Sequence, residues 1–347
     1  MNLRAALAAV RAMLPGAAPG DDDGAARVAR TTRRLAVLLG AGVAPASAWV
    51  HLAEEASADR TRALAGDAPV PVGAVDVDGE REVGMLLEVA AAAVHGGDVA
   101  AAIDELARQE SGRGVRTAWA GLAAAWQVAS LTGAPLGVCL RDLAGSLREL
   151  DRIGRDVGTA LAGPAATARL VLWLPLVAVV LGMALGFDTV RTLVATVPGL
   201  CCLVLGAAFL VAGGRWSAAL TARAARRDPA PGLSLDLVAV AMAGGGAASV
   251  ARRVVEEACE RFDVPHDDQS IGRVLALSAS AGIPAGELLR SEADQCRDQA
   301  RSDGERAAAV LATRLMIPLG VCILPAFLLV GVAPLLLSVV TSTALGF

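Results

Sequence analysis

Lysine and tyrosine are both absent from this chain of 347 residues, and aromatic residues make up only 3% of it. All 31 basic residues are therefore arginines. A phosphate-binding loop of the Walker type needs a lysine after its glycines, so the chain cannot be a P-loop ATPase by itself, and it cannot form a lysine Schiff base. With few aromatic rings and a formal net charge of −4, it also lacks the stacking platforms and the basic surface that nucleic-acid-binding proteins use.

Charge is absent from three long runs, residues 170–187, 192–214 and 315–347. About 20 mostly apolar residues cross a bilayer as a helix. Ion-coupled transporters and proton pumps normally carry an ionisable side chain inside such runs, so its absence argues against them. We predict transmembrane helices at residues 168–187, 192–214 and 314–341.

Arginines set the predicted orientation. Arg152, Arg155 and Arg169 precede the first run, Arg215 and Arg223 follow the second, and the tail of the third run has no charge. Positive residues stay on the cytoplasmic side of a membrane. We therefore expect the N-terminus and both charged regions in the cytoplasm and the C-terminus outside.

The rest of the chain is charged and rich in alanine, leucine and arginine, which favour helices. We predict an all-α membrane protein with two cytoplasmic antiparallel helical bundles, at residues 25–165 and 228–310, beside the three transmembrane helices. Residues 1–24 form an N-terminal segment and linker, whose helix is either a membrane-surface anchor or packed on the first bundle. Prolines and glycines at residues 66–79 predict a mobile loop, and a helix pair is expected around residues 85–110.

The two bundles are predicted to be copies of one unit. Residues 42–56 match residues 244–258 at an offset of 202, and each segment reads as a glycine-centred turn followed by a helix with a Glu-Glu pair. A Gly-x-Pro turn occurs once in each copy, and such a turn stops one helix and starts the next. Because the second copy is shorter, we expect it to be completed by the first copy or by a partner chain. The residues singled out as structural turns and as points where the chain enters the membrane are Gly133, Pro135, Gly282, Pro284, Arg169, Arg314, Pro318 and Pro325.

No catalytic, cofactor-binding or metal site is predicted. Residues 76–80 begin like a calcium loop, but Arg81 stands where the loop needs glycine and Leu87 where it needs an acid, which favours a solvated loop. His266 with the two aspartates that follow it is better interpreted as a polar loop between helices. Six cysteines show no C-x-x-C spacing, which favours small buried side chains over a disulfide or metal framework.

The C-terminal part of the sequence resembles a known family. Residues 314–327 read Arg-Leu-Met-Ile-Pro-Leu-Gly-Val-Cys-Ile-Leu-Pro-Ala-Phe and continue to Pro334. This is similar to the ending of the tight-adherence (Tad, or Flp) pilus members of the type II secretion F protein family. The turn at residues 282–284 and the segment at residues 162–175 resemble the same family, so that the likeness extends over roughly residues 30–345.

The resemblance implies a function and a set of partners. It implies a non-enzymatic platform of the inner membrane that couples a cytoplasmic ATPase to the assembly of pilin-like subunits. The implied partners are a hexameric secretion ATPase, pilin-like subunits, a second platform protein or another copy of the chain itself, and the lipid bilayer. It implies no cofactor and no nucleic acid.

Two other functions compete with the platform. A membrane subunit of a transporter driven by a separate ATPase would need substrate-lining polar groups in its spans, and the charge-free runs do not supply them. A membrane-bound sensor would need an external domain, whereas only residues 188–191 link the first two runs. The platform is therefore the preferred interpretation.

The predicted topology can be tested with single cysteines in a variant that lacks the native ones. A cysteine at Thr189 or Thr343 is expected to react with an impermeant thiol reagent in whole cells, because both positions lie on the outer side. A cysteine at Ala224 should react only after lysis. The reverse labelling pattern would disprove the assigned orientation.

Overall fold

The structure is a computed structural model that describes residues 21–65, 77–110, 112–156, 197–225 and 230–333, together with the single positions 159, 177 and 336. Every regular element in these residues is helical, and none of them forms a strand. The prediction of an all-α chain is therefore confirmed. The predicted first span at residues 168–187 and the N-terminal segment lie outside the described residues, apart from residues 21–24 and 177.

The helices are labelled in chain order. They are α1 (Asp21–Gly40), α2 (Pro45–Ala65), α3 (Val77–Val94), α4 (Val99–Gln109), α5 (Arg113–Thr132), α6 (136–156), α7 (Val197–Ala225), α8 (Leu233–Ala243), α9 (Ala248–Arg261), α10 (Asp268–Ala281), α11 (Ala285–Pro318) and α12 (Leu324–Phe327), with π-helical turns at Leu319–Ile323 and Leu328–Val332.

The predicted helix pair is α3 and α4, and Asp98 caps α4 by accepting a bond from the Ala101 amide. The predicted loop at 66–79 ends earlier than expected, because α3 begins at Val77; residues 66–76 lie outside the described residues.

The described residues form two compact units. The bundle unit takes those between Ala18 and Arg155 and between Asp228 and Arg301. The span unit takes those between Asp156 and Arg227 and between Ser302 and Phe347. The helices of both predicted bundles thus lie in one unit and share one hydrophobic core. The shorter second segment was expected to be completed by the first segment or by a partner chain, and its helices pack on those of the first. The repeat itself stays a prediction.

Helix α8 explains why the two copies share a core. Its residues Leu233, Leu235, Leu237, Val238 and Val240 are all buried, so no side of the helix faces water. A helix that is apolar all round must be enclosed by other helices. Helices α9 and α10 cover part of α8, and α5 of the first copy covers the rest.

Large side chains fill the core of the bundle unit. The Trp49 and Trp126 rings meet with centroids 5.8 Å apart at an interplanar angle of 53°. Aromatic pairs prefer such tilted arrangements, which add to the burial of apolar surface. Side chains contributed by α4, α5, α6, α8 and α11 are fully buried in the same core: Ile103, Leu106, Leu122, Leu140, Leu237 and Leu289.

Glycines at the helix turns correct the predicted alignment of the two copies. Gly42 follows α1 with a φ of 88°, and Gly245 follows α8 with a φ of 80°. A left-handed residue after a helix is usually glycine because a Cβ is unfavourable there. The two turns therefore correspond at an offset of 203, and the predicted offset of 202 is wrong by one residue. The sequence alone does not show which of the three consecutive glycines at 244–246 takes the left-handed conformation.

The span unit is held by close contact between α7 and the helical segment that follows α11. A Cβ placed on Gly206 would overlap Val330, and one placed on Gly213 would lie 2.9 Å from Cβ of Cys322. Small residues allow apolar helices to approach closely when no hydrophobic effect in lipid drives them together. Helix α7 continues past residue 214, where the second span was predicted to end, while residues 192–196 lie outside the described residues.

Among the described residues, two helical segments are long and apolar enough to cross a membrane, Val197–Arg223 and Ala285–Val332. The second has 48 residues, which corresponds to about 70 Å of helix. It joins α11 of the bundle unit to the predicted third span without a break, and the π-helical turns follow Pro318 and Pro325. Proline removes a backbone donor and crowds the preceding turn, which a wider turn relieves. Residues 334–335 and 337–341 of the predicted span lie outside the described residues.

The close packing of the turns predicts how much stability is lost when one turn glycine is replaced by alanine. A Cβ on Gly244 would overlap the carbonyl oxygen of Thr132, whereas a Cβ on Gly246 meets nothing within 4 Å. Gly244→Ala should therefore lower the free energy of unfolding by about 1–3 kcal/mol, and Gly246→Ala should leave it nearly unchanged. Thermal unfolding of the purified full-length chain in detergent, followed by circular dichroism, measures both. Equal melting temperatures for the two variants would contradict the close approach.

Candidate functional site

The polar segment 266–268 is a helix cap. Asp267 accepts bonds of 3.1 Å from the amides of Gln269 and Ser270 at the start of α10. Hydrogen bonds from Ser270 are the main reason that the pKa of Asp267 lies below its usual value. Asp268 pairs with Arg252, whose Nε donates over 2.7 Å. Among the described residues no group of three His, Cys, Asp or Glu side chains is placed to hold a metal ion.

Two of the cysteines behave as small apolar side chains. Cys139 and Cys259 are buried in the core of the bundle unit. Burial raises the pKa of Cys139 to about 11 and that of Cys259 to about 12. A thiol reacts as its thiolate, so both groups are unreactive at neutral pH.

Both predicted Gly-x-Pro turns are present. Gly133 ends α5 with a φ of 70°, and Gly282 ends α10 with a φ of 68°. Each glycine donates its backbone N–H to the carbonyl four residues earlier, to Ala129 and to Ser278. Each turn then leads into the next helix one residue after its proline, α6 after Pro135 and α11 after Pro284.

The helix turns lie together at one end of the bundle unit. A Cβ on Gly137, at the start of α6, would lie 2.8 Å from the amide nitrogen of Gly40, at the end of α1. Gly244 approaches Thr132 in the same way, which joins the turn after α8 to the turn after α5. Near the beginnings of α6 and α11, Arg290 donates to Asp142 over 3.0 Å. We call this end, with the turns at 41–44, 133–135, 244–247 and 282–284, the turn face.

Branched apolar side chains project from the turn face. Leu131 is 63% exposed, and Val138, Val250 and Ile283 are between 43% and 48% exposed. Each lies in a turn or within three residues of one. Exposed apolar side chains that cluster around one end of a protein mark an interaction surface. The turn face is therefore the candidate docking surface of the bundle unit.

The residues predicted to mark the points of membrane insertion belong to the span unit. Arg169 lies outside the described residues. Arg314 is exposed on α11, Pro318 is buried at its end, and Pro325 is partly buried in α12. The Pro318 carbonyl lies 3.8 Å from the position of a Cβ on Gly213, so this proline takes part in the contact with α7. The structure does not bring these residues together into one polar site.

A buried ion pair in the second copy is tied to the first copy by a hydrogen bond. Arg297 of α11 donates to Asp236 of α8, and Ser146 of α6 donates to the same carboxylate oxygen over 2.7 Å. The Arg297 side chain is 6% exposed and also donates to Asp294 over 2.7 Å. Its Nε finds no partner among the described residues. Three helices from both copies therefore meet at one charge cluster, which we call the polar junction.

Burial dominates the electrostatics of the polar junction. It raises the pKa of Asp236 above its usual value, and the nearby Arg297 and Ser146 only partly oppose this. A buried charge that loses its partner is left uncompensated in a medium of low dielectric. The sequence signal for this cluster is Asp236 itself, the one charged residue among the apolar residues of α8. Its partners are 90 and 61 residues away, and no local pattern names them.

A second contact between the copies lies near the surface. Arg261, at the end of α9, donates to Asp98 and to Gln127 over 2.6 Å each. The bond from Arg261 is the largest cause that keeps the pKa of Asp98 below its usual value. Asp98 also caps α4, so this carboxylate fixes the start of one helix and the end of another. Exposed pairs of this kind orient helices and add little stability.

Two arginines offer a matched test of the polar junction. Arg297 and Arg62 each pair with an aspartate three residues earlier, but the Arg62 side chain is 74% exposed. Arg297→Met should lower the free energy of unfolding by about 3 kcal/mol, because it leaves Asp236 buried without a counter-charge. Arg62→Met should change it by less than about 0.5 kcal/mol. Denaturant unfolding of the full-length chain in detergent measures both. A loss of similar size in the two variants would show that the junction has no special role.

Comparison with known proteins identifies one domain in the C-terminal part of the chain. Residues 217–333 match the family model described as type II secretion system (T2SS), protein F. The match begins near the end of α7, covers α8–α11 and the polar junction residues Asp236 and Arg297, and ends after the second π-helical turn. No curated protein and no solved structure matches the chain. The chain therefore carries a domain of the type II secretion system F family at residues 217–333.

Proposed function

We propose that this protein is a non-enzymatic platform of the inner membrane that couples a cytoplasmic secretion ATPase to the assembly of pilin-like subunits. The observation that carries the proposal is the uninterrupted helical segment Ala285–Val332. Its first part packs in the core of the bundle unit through Leu289 and Ala293, and its last part is apolar enough to cross a membrane. A displacement of the bundle unit by a motor would reach the bilayer along this segment.

The polar junction supports such a transmission. Arg297 lies on α11 only four residues before the bundle unit ends at Arg301. Its bonds tie α11 to α8, and through the shared carboxylate to Ser146 on α6. Breaking a buried ion pair is costly. Force applied anywhere on the bundle unit would therefore move α11 with the unit and would not slide it out of the core.

The arrangement in the membrane is part of the proposal. The chain crosses the cytoplasmic membrane three times, at residues 168–187, 192–214 and 314–341, with its N-terminus and the bundle unit in the cytoplasm and its C-terminus outside. Arginine flanks and charge-free runs support this orientation. On the described spans, side chains such as Val204, Leu205, Val321 and Leu328 are exposed. Lipid and the apolar helices of pilin-like subunits are the surroundings that suit them.

We further propose that the ATPase docks on the turn face. The chain passes between the two units at residues 155–156, 227–228 and 301–302. The turn face lies at the opposite ends of α6, α8 and α11, about 30 Å along α6 from where that helix leaves the bundle unit. Its apolar side chains suit a partner that buries them within a polar rim. The resemblance of the C-terminal motif favours the tight-adherence branch of the family.

The experiment is co-purification of the full-length chain, in detergent, with the secretion ATPase of the same machine. Deleting the second copy is unsuitable, because both copies build one core. Leu131→Glu combined with Val138→Glu should instead lower ATPase retention at least about tenfold, the effect of losing one or two central contacts. Leu87→Glu is the control, since Leu87 is 52% exposed on α3 and lies outside the turn face.

Three results would contradict parts of this proposal. Failure of the intact protein to bind the ATPase would count against the platform function. Hydrolysis of nucleotide by the chain alone would overturn the non-enzymatic assignment. Binding that survives the turn-face substitutions but is lost in the Leu87 control would move the docking surface to α3 and leave the platform function in place.

A further inference from the structure

Helices α1 and α8 occupy equivalent positions in the two copies. Their turns correspond at an offset of 203, which pairs the left-handed Gly42 with the left-handed Gly245. The same offset pairs Leu35 with Val238, and both side chains are fully buried. Each residue of α1 therefore corresponds to the residue of α8 that lies 203 positions later, and corresponding residues lie on corresponding faces of the two helices.

One face of α8 is covered by the first copy. Leu233 packs against Gly121 of α5, where a Cβ would lie 2.9 Å from a Leu233 methyl group. Asp236 receives the Ser146 hydroxyl of α6 over 2.7 Å. Leu237 and Val240 continue this face and are buried. The helix pair α5–α6 is thus the surface that receives this face of α8.

The equivalent face of α1 is open. At the offset of 203 it consists of Arg30, Arg33, Arg34 and Val37, all exposed. These residues border a cleft of about 440 Å³ between α1 and α2. Arg34 pairs with Glu55 over 3.3 Å, whereas Arg30 and Arg33 have no ion-pair partner among the described residues. We call this surface the open face.

Helix α11 carries the complementary charge at the position that the repeat predicts. The offset of 149 between the Gly-x-Pro turns makes Gln295 the equivalent of Ser146, the residue that receives α8. Glu292 and Asp298 lie three residues to either side and so share its side of the helix. Gln295 and Asp298 are exposed. Neither the Glu292 nor the Asp298 carboxylate has an ion-pair partner among the described residues.

We propose that the open face of one molecule docks on the Glu292–Gln295–Asp298 side of α11 in a second copy of this chain. The contact repeats between molecules the packing that joins the two copies within one molecule. In the contact between molecules, Arg33 takes the position that Asp236 has within one molecule, so a positive charge replaces a negative one. On the receiving helix, the carboxylates of Glu292 and Asp298 take the part of the Ser146 hydroxyl. The inference goes beyond the proposed function and does not depend on the ATPase, although another copy of the chain is among the partners that the family resemblance implies.

This contact is heterologous, because the two surfaces that meet are different. Such contacts close into a ring or extend as an open array, according to the rotation between neighbours. Charge complementarity favours the pairing, and salt should weaken it. An acidic segment of another protein could also bind arginines, but the repeat places a pair of helices at this position, and α10–α11 is the pair equivalent to α5–α6.

The test is charge reversal in the full-length chain, purified in detergent and analysed by light scattering after size-exclusion chromatography. Arg30→Glu with Arg33→Glu should weaken self-association at least about tenfold, and Glu292→Arg with Asp298→Arg should do the same. A mixture of the two variants should associate again, because each contributes one native surface and the two altered surfaces also match. An assembly of more than two copies distinguishes this heterologous contact from a two-fold symmetric one, which stops at a dimer.

The matched control reverses two arginines elsewhere. Arg62 and Arg253 are 74% and 69% exposed and lie on α2 and α9, outside the open face. Arg62→Glu with Arg253→Glu changes the net charge equally and should leave self-association unchanged. Circular dichroism melting of every variant establishes that each is folded.

Several results would overturn the proposal. These are a wild-type chain that stays monomeric at the highest workable concentration, self-association that the open-face substitutions leave unchanged, and a mixture that fails to recover. A monomeric chain that binds an acidic protein through Arg30 and Arg33 would also refute it. Loss of ATPase retention in the turn-face variants with unchanged self-association would bear on ATPase docking alone.

Discussion

The enclosure of α8 is the constraint on which the rest of the bundle unit depends. Because this short helix is apolar on every side, it is stable only when helices of both copies surround it. The enclosure brings α5 and α6 of the first copy against the second copy and leaves Asp236, the one charge that α8 carries, with a side chain only 15% exposed. A buried carboxylate requires a partner, and Arg297 supplies it from the helix that continues toward the membrane. Packing and electrostatics therefore hold α11 against α8 at Arg297.

Helices α1 and α8, which the predicted repeat makes equivalent, differ in environment. Helix α1 buries one face and leaves Arg30, Arg33 and Arg34 in solvent, whereas its counterpart α8 is buried all round. In repeat proteins an internal unit has neighbours on both sides, and a terminal unit needs a polar outer face. Arginine serves that purpose well, because it keeps an exposed helix face soluble and can still pair with carboxylates across an interface.

Much of this fold could be predicted from the sequence, because helix turns and charge-free runs are local signals. The Gly-x-Pro turns at Gly133 and Gly282 and the turn before α4 follow from residue types alone. The register of the first turn could not be predicted, since three adjacent glycines can each take a positive φ. The merging of the two bundles was only one of two expected outcomes, and the polar junction was missed, because Ser146, Asp236 and Arg297 are brought together by packing and not by spacing.

The uninterrupted helix has a consequence for how such a chain can change in evolution. Every residue added or removed between Arg297 and Cys322 would turn one of these side chains about 100° around the helix axis relative to the other. The first faces the polar junction, and the second faces Gly213 of α7. The angle between the two side chains around the helix axis is kept only when the length of this segment changes in steps of about seven residues, close to two helical turns. Helical phase is thus a constraint on this segment that its residue types do not reveal.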